Sequence, residues 1–305
     1  KNIKVGFSLK CTGKLVESPA KGQDYELQLS DYHIYGDVQD GYLLSKNRIS
    51  LEKLRDNSHI RVRTRAFGSI FRIRNRVSMA VHEFYQKLGF LHLDPNVITV
   101  NECEGGAGVF QITENNLSNL SSLNNKEDGS YDWSKDHFCK PAYLTVSSQL
   151  QLESMACALG NVYTMNKSFR SEHSSTSKHV SEFTHLEIEI INNTLEQLMD
   201  VGEEMVRYSI KELFKRNKED LENLNKFVSK GLIERLETLE KSIFKRMKYA
   251  DAILLIQQDI LDNKTQITNI QYGDDLGSEH ENYIVEKFNC PVFITHWPFA
   301  IKSFY

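Results

Sequence analysis

From Phe183 onward the chain alternates: Phe183, His185, Glu187 and Glu189 fall on one side of an extended segment, and Leu186, Ile188 and Ile190 on the other. A period of two with one apolar phase is the pattern of a strand with one buried face. Upstream, Phe169-Arg170-Ser171-Glu172 sends Arg170 and Glu172 to a common face by the same period. The two segments read as a hairpin with an apolar back and a charged front. Residues 173–179 between them are polar and rich in donors, a composition suited to wrapping an anion. A solvated sheet face bearing ordinary surface ions fits the same spacing. A metal site built from His173, His179, His185 and the glutamates is a third reading, but their irregular spacing matches no standard ligand pattern.

The 305 residues, 40% of them hydrophobic, suffice for a full-sized core and two domains. No uninterrupted apolar run is long enough to span a bilayer, and the first residues lack the apolar block of a secretion signal, so no membrane is expected as a partner. Cys11, Cys103, Cys139, Cys157 and Cys290 are scattered without any C-x-x-C pairing. That suits reduced thiols acting as small buried fillers in a cytosol-like compartment, and a cytoplasmic protein is expected, with an organellar form as the alternative. The formal charge of −4 argues against a chain coated in basic residues. It leaves room for a local basic face: Arg61, Arg63 and Arg65, alternating as on an extended segment, then Arg72, Arg74 and Arg76 at the mouth of a helix. A solvated basic connection explains these equally well.

Taken in order, residues 10–16, 26–29 and 32–35 read as short strands, the first two separated by a turn at 18–23, and fit part of a small barrel. After a poorly structured stretch through 54–56, a helix is expected over 69–88. Its stripe is Ile70, Ile73, Val77, Ala80, Val81, Phe84 and Leu88, and Gly89 ends it. A strand at 90–93 meets Asp94-Pro95, where proline belongs at a strand end. The glycine-rich stretch 103–108 has the wrong spacing for a phosphate loop or dinucleotide fingerprint, and reads as a mobile flap carrying Glu104. Residues 115–136 lack any period and look like a surface insertion. Ser147 or Ser148 is placed to cap a helix running to Leu159 and closed by Gly160, which sets Gln149 in its first turn beside the charged hairpin. Residues 194–261 are expected to be mostly helical, Ser278 and Glu281 have capping-box spacing, and 292–295 is a short strand.

Several of these stretches together carry a resemblance. Thr145-Val146-Ser147-Ser148-Gln149-Leu150, Val162-Tyr163-Thr164, residues 169–179, Glu182-Phe183, residues 231–237, 275–281 and Ile301-Lys302-Ser303-Phe304-Tyr305 resemble class II aminoacyl-tRNA synthetases, most specifically the asparaginyl family, nearly end to end. The resemblance implies an α+β fold: a class II antiparallel-sheet catalytic core with flanking helices, preceded by a partial oligonucleotide-binding (OB-fold) β-barrel. The boundaries it implies are 1–55 for the anticodon-reading barrel, 56–70 for a hinge and 71–305 for the catalytic domain, with the helical region at 194–261. It further implies a homodimer formed through the helix, strand and proline of motif 1, and tRNA(Asn) as partner, with the basic run between the domains steering it.

The implied reaction is attack of the L-asparagine carboxylate on the α-phosphate of ATP, followed by transfer to tRNA. By resemblance, Arg170 holds the α-phosphate and the substrate carboxylate, Glu172 accepts from the adenine amino group, Phe183 stacks on the ring, and Lys178 and His179 meet the outer phosphates. Glu104 binds the substrate ammonium, Ser147 and Gln149 complete the pocket, and Glu187 accepts the amide protons of asparagine while repelling aspartate. Leu152 stands where the aspartyl relatives carry a lysine for the substrate carboxylate.

Departures leave alternatives open. Lys167-Ser168 replaces a glycine-proline before motif 2, the flap lacks an acidic residue after Glu104, and Thr184-His185 replaces tryptophan-methionine, Thr184 being what an aspartyl enzyme would show. The family's first barrel strands are expected to lie outside the 305 residues, and its motif 3, with the Mg2+ ligands, beyond Tyr305. The alternatives are an aspartyl or non-discriminating enzyme, and a non-catalytic RNA-binding relative.

Overall fold

A computed structural model describes residues 3–44, 49–101, 108–171 and 179–302. The first element is a hairpin of β1 (Ser8–Glu17) and β2 (Tyr25–Gly36). What reads in sequence as separate strands at 26–29 and 32–35 is one strand. Gly13 pairs with Leu29 and Thr12 with Asp31, so Ser30 is an extra residue in β2 and its hydroxyl donates to the Thr12 carbonyl at 3.1 Å. This bulge lets the apolar phase change from odd (Tyr25, Leu27, Leu29) to even (Tyr32, Ile34) without leaving the face shared with Leu9, Cys11 and Leu15. Glycine is required beside it, because a Cβ at Gly13 would stand 2.2 Å from the Gln28 carbonyl oxygen. The hairpin's Leu15, Leu27 and Leu29 are exposed, and the described residues before 49 form a two-stranded sheet.

The stretch around 54–56 is helical, not irregular: α1 (Leu51–Asp56) is capped by Ser50, whose side chain accepts from the Lys53 N–H at 3.2 Å, and α2 (Ser58–Arg61) follows. Arg61 and Arg65 therefore lie on helical turns and not on an extended segment. The long helix α3 (Arg65–Lys87) starts earlier than its apolar stripe suggests, because Thr64 supplies the cap, its hydroxyl accepting from Phe67 N–H at 3.3 Å. Gly89, at φ +80°, turns the chain out of the helix, and Phe90 folds back with its N–H on the Tyr85 carbonyl.

A short β3 (Leu91–His92) runs parallel to β7 (Val162–Phe169), which pairs antiparallel with β8 (Glu182–Glu189). The back of this sheet packs on α3: Tyr163, Val81, Phe84, Tyr85 and Phe90 are buried together, with Leu186, Ile188 and Ile190 against them. That is the apolar phase expected from alternation. On its other face the sheet carries α4 (Gln149–Leu159), where Leu152, Ala156 and Val162 form a second buried cluster. A small antiparallel sheet of β4 (Ile98–Thr99), β5 (Phe110–Ile112) and β6 (Ala142–Leu144) leads into α4.

The 115–136 stretch is better organised than its composition suggests. Asp136 is buried and accepts from Thr113 Oγ1 at 2.6 Å, Tyr131 Oη at 3.0 Å, and the N–H groups of His137 and Glu114 at 2.7 and 3.3 Å. These donors, that of Thr113 foremost, hold its carboxyl down to about 2.

The helical region holds α5 (Leu195–Arg216), α6 (Lys218–Phe227), α7 (Leu232–Lys241) and α8 (Tyr249–Leu261). Thr194 and Gln197 form a reciprocal capping box at the start of α5. Between α7 and α8 lies an unanticipated strand, β9 (Lys245–Lys248), parallel to β10 (Val292–Thr295). The helix α9 (Ser278–Phe288) starts where expected but is capped differently: His280 Nδ1 accepts the Gly277 N–H at 3.2 Å. Tyr249, Ile253, Ile256, Ile270 and Ile284 make the core of this C-terminal region. Cys11, Cys139 and Cys157 are exposed and Cys290 half-buried, so none of these is the buried filler the sequence suggests. Among the described residues no helix is long and apolar enough to cross a membrane.

Candidate active site

The antiparallel register of β7 and β8 builds the floor of the site. Ser168 lies opposite Phe183, Asn166 opposite His185, Thr164 opposite Glu187 and Val162 opposite Glu189, all on the face away from α3. The first turn of α4 sits over this face. Its N-cap, Ser148, turns its backbone N–H to Glu187, donating to Oε1 at 3.1 Å and to Oε2 at 3.0 Å, while the Ser147 hydroxyl donates a short hydrogen bond to Oε1. The same hydroxyl oxygen accepts the Gln149 N–H at 3.1 Å. Carboxylate and helix N-terminus suit each other, because the unsatisfied N–H groups there carry partial positive charge.

The helix start is pinned from below. Asn166 Nδ2 donates to the Pro95 carbonyl at 2.8 Å and to the Ser148 hydroxyl at 3.3 Å, and Thr145 Oγ1 donates to the Ser147 carbonyl at 2.6 Å. His185 stands between the two halves of the floor: Nδ1 is 3.1 Å from Ser168 Oγ and 3.6 Å from Glu187 Oε1, and its ring centroid is 5.4 Å from that of Phe183. Deeper along β8, the Glu189 carboxyl is raised above its ordinary range by burial first and by the charges of Glu153 and Glu187 second.

Arg170 continues the hairpin beyond β7 by donating its N–H to the Ser181 carbonyl at 3.0 Å, and its guanidinium lies 5.6 Å from the Phe183 ring centroid. A planar cation and an aromatic face thus border one space, a pairing suited to a nucleotide. Ser171 ties this end of the hairpin to the chain leaving the glycine-rich loop, its N–H on the Gly108 carbonyl at 2.7 Å and its hydroxyl on the Val109 carbonyl at 3.2 Å.

Of the residues singled out in sequence, Arg170 and Phe183 come together at one end of the floor, and Ser147, Gln149 and Glu187 at the other. His179 is exposed. Glu104, Glu172 and Lys178 lie outside the described residues, as do His173 and Cys103. Thr184 is on the opposite face from Glu187, where its hydroxyl accepts from Arg74 at 3.4 Å. Leu152 is fully buried and presents no polar group to the site. Sequence reading did not pick out Ser148, Asn166 or Ser168 as parts of the site. Only strand pairing places the last two on the floor, and Ser148 acts through its backbone. Among the described residues no group of His, Cys, Asp and Glu is arranged to hold a metal ion. Ser303, Phe304 and Tyr305 lie outside the described residues as well.

The chain resembles known proteins over most of its length. The family model described as tRNA synthetases class II (D, K and N) matches residues 50–305. An asparagine–tRNA ligase of Clostridium tetani (strain Massachusetts / E88) is 40% identical over 304 residues, covering 99% of this chain and 64% of that protein. Among solved structures, the asparaginyl-tRNA synthetase of Pyrococcus horikoshii complexed with asparaginyl-adenylate superposes with a TM-score of 0.78 at 28% identity, covering 98% of this chain and 61% of that one. The Entamoeba histolytica asparaginyl-tRNA synthetase in complex with asparaginyl-adenylate gives 0.74 at 25%, covering 98% and 62%. The chain thus spans less than two thirds of the length of these relatives, and its hairpin, helix-borne serines and buried carboxylate sit within the matched region. It belongs to the class II tRNA synthetases of the D, K and N group.

Proposed function

We propose that this chain forms the adenylate-forming part of an asparagine–tRNA ligase, which activates L-asparagine with ATP and transfers it to tRNA(Asn). The observation that carries this reading is the placement of Glu187: a carboxylate fixed on the Ser147-Ser148 start of α4, with His185 between it and the Arg170 and Phe183 end of the same hairpin face. ATP lays its adenine on Phe183 and its α-phosphate on Arg170. The asparagine carboxylate attacks that phosphorus in line, a bond forms between its oxygen and phosphorus, and pyrophosphate leaves with the electrons of the broken bond. The protein's part is positioning and stabilisation of charge on the phosphoryl oxygens. Glu187 accepts from the side-chain amide of asparagine and meets aspartate with like charge.

The further parts of the reading rest on the family. Glu104, Glu172, Lys178 and His179 complete the amino-acid and ATP sites, and Mg2+ accompanies ATP as its counter-ion. Residues 1–55 serve as part of an OB-fold that reads the anticodon, 56–70 as the hinge and 71–305 as the catalytic domain. The α3, β3 and Pro95 unit serves a homodimer, and the protein works in the cytoplasm. Thr184, the residue an aspartyl enzyme would show, faces away from Glu187. The test is ATP–pyrophosphate exchange by the full-length protein with asparagine or aspartate. Asparagine preference is expected; preference for aspartate, or no exchange with either, overturns the reading.

A further inference from the structure

The two oxygens of Glu187 are not equivalent. Oε1 accepts from the Ser147 hydroxyl and the Ser148 N–H and has His185 Nδ1 3.6 Å away; among the described residues Oε2 receives the Ser148 N–H alone. One oxygen is anchored and the other keeps a lone pair for a ligand, since each carboxylate oxygen accepts two hydrogen bonds. The anchored side is held by a ring that is itself held. Ser168, fully buried on β7, meets His185 Nδ1 at 3.1 Å, and Phe183 flanks the ring at 5.4 Å between centroids. An Nδ1 lone pair turned toward a carboxylate oxygen at this range would be repelled, so we assign the hydrogen to Nδ1, donated to Ser168 Oγ at 3.1 Å, with its positive end 3.6 Å from Glu187 Oε1 as a charge–dipole contact.

We infer that His185 is a positioning residue for Glu187, and that discrimination of asparagine from aspartate depends on its Nδ1–H. The inference rests on the reading of Glu187 as the amide acceptor. With the hydrogen on Nδ1 in place, its positive end adds to the Ser147 and Ser148 donors in holding Oε1, and Oε2 stays aimed at the substrate amide. Without it, Oε1 keeps the Ser147 and Ser148 donors but loses a positive neighbour, so the carboxylate is less firmly oriented and its charge is distributed differently between the two oxygens.

Three variants of the full-length protein test this in ATP–pyrophosphate exchange, read as the ratio of kcat/KM for asparagine to that for aspartate. His185→Phe keeps a ring beside Phe183 but has no Nδ1; the ratio should fall about tenfold, the scale of a modest misplacement of a reacting group. His185→Asn puts an amide N–H near the Nδ1 position and should stay within about threefold of wild type. Ser168→Ala leaves the imidazole but frees it, and should lower the ratio in the same direction as His185→Phe. The KM for ATP should stay within about twofold throughout, since the adenine platform is Phe183. An unchanged ratio in His185→Phe and Ser168→Ala overturns the inference. So does an equal fall in His185→Asn, or a KM for ATP that rises in step with the loss. Wild-type preference for aspartate would overturn the reading of Glu187 itself, and it is read from the unmutated protein before any variant.

Discussion

The backbone N–H of Ser148 lies between the two carboxylate oxygens of Glu187, 3.1 Å from one and 3.0 Å from the other. The cap of α4 and a residue of β8 thereby share one proton, and the amino-acid end of the site is fixed by backbone as well as by side chains. Glu187→Gln keeps the shape but removes the charge and one acceptor. Exchange with asparagine should fall by about a hundredfold or more in kcat/KM, the scale for a site left with an unmatched polar group, while aspartate loses less. Equal losses for both substrates would refute the role.

Arg170 is the only described cation whose guanidinium faces the Phe183 ring. Arg170→Ala should slow adenylate formation in single turnovers by about a hundred- to a thousandfold or more, as loss of a principal charge stabiliser does. Arg170→Lys should recover little of it, because a point charge lacks the planar fork. A mild effect of the alanine variant would remove Arg170 from the chemistry.

His82 on α3 accepts at Nδ1 from the buried Tyr163 hydroxyl at 2.9 Å; Gln86 donates to the same hydroxyl oxygen at 3.4 Å, leaving the tyrosine proton for the imidazole. Burial first, and the neighbouring His92 second, hold the His82 pKa below its ordinary value, with Asp94 opposing. The fold therefore favours neutral His82. Its contribution to stability is complete above the unfolded histidine value of about 6.5 and is lost as pH falls below that. Asp136, held down to about 2, keeps its own contribution until much lower pH. Thermal melts at pH 7.5 and 5.5 should show a drop in Tm that is smaller in His82→Gln; identical drops would show that His82 does not carry the linkage.

Leu152 is fully buried against Ala156 and Val162, with Leu93 at the edge of the cluster. Leu152→Ala should cost about 2–5 kcal/mol in urea denaturation, the range for a large-to-small change in a packed core. A cost below about 1 kcal/mol would mean that the cluster collapses to fill the space.

How much of this was legible depended on whether a local period carried the information. Alternation from Phe183 to Ile190 placed the apolar back and the charged front correctly, because one buried face is enough to fix a strand's phase. It could not reveal Ser168 or Asn166, whose place on the floor follows from their partners across the hairpin. Residues 54–56 read as poorly structured and 61–65 as extended because α1 and α2 are too short to build an apolar stripe, and their stop at Asn57 is a matter of backbone geometry. At α9 the serine-to-glutamate spacing marked the right place for the wrong reason, since a histidine three residues after glycine does the capping. In the 115–136 stretch, a single buried aspartate with several donors supplied the order that periodicity lacked.

The Ser30 bulge has a consequence of a different kind. It makes the first hairpin a reading frame with one inserted letter: up to Leu29 odd positions of β2 face Leu15 and its neighbours, and from Tyr32 even positions do. Were Ser30 paired in regular register instead of bulged out, Asp31 and His33 would turn toward the apolar face and Tyr32 and Ile34 away from it. The hairpin's chemical identity toward whatever lies against it is therefore set by a residue whose own side chain does no more than bond to Thr12.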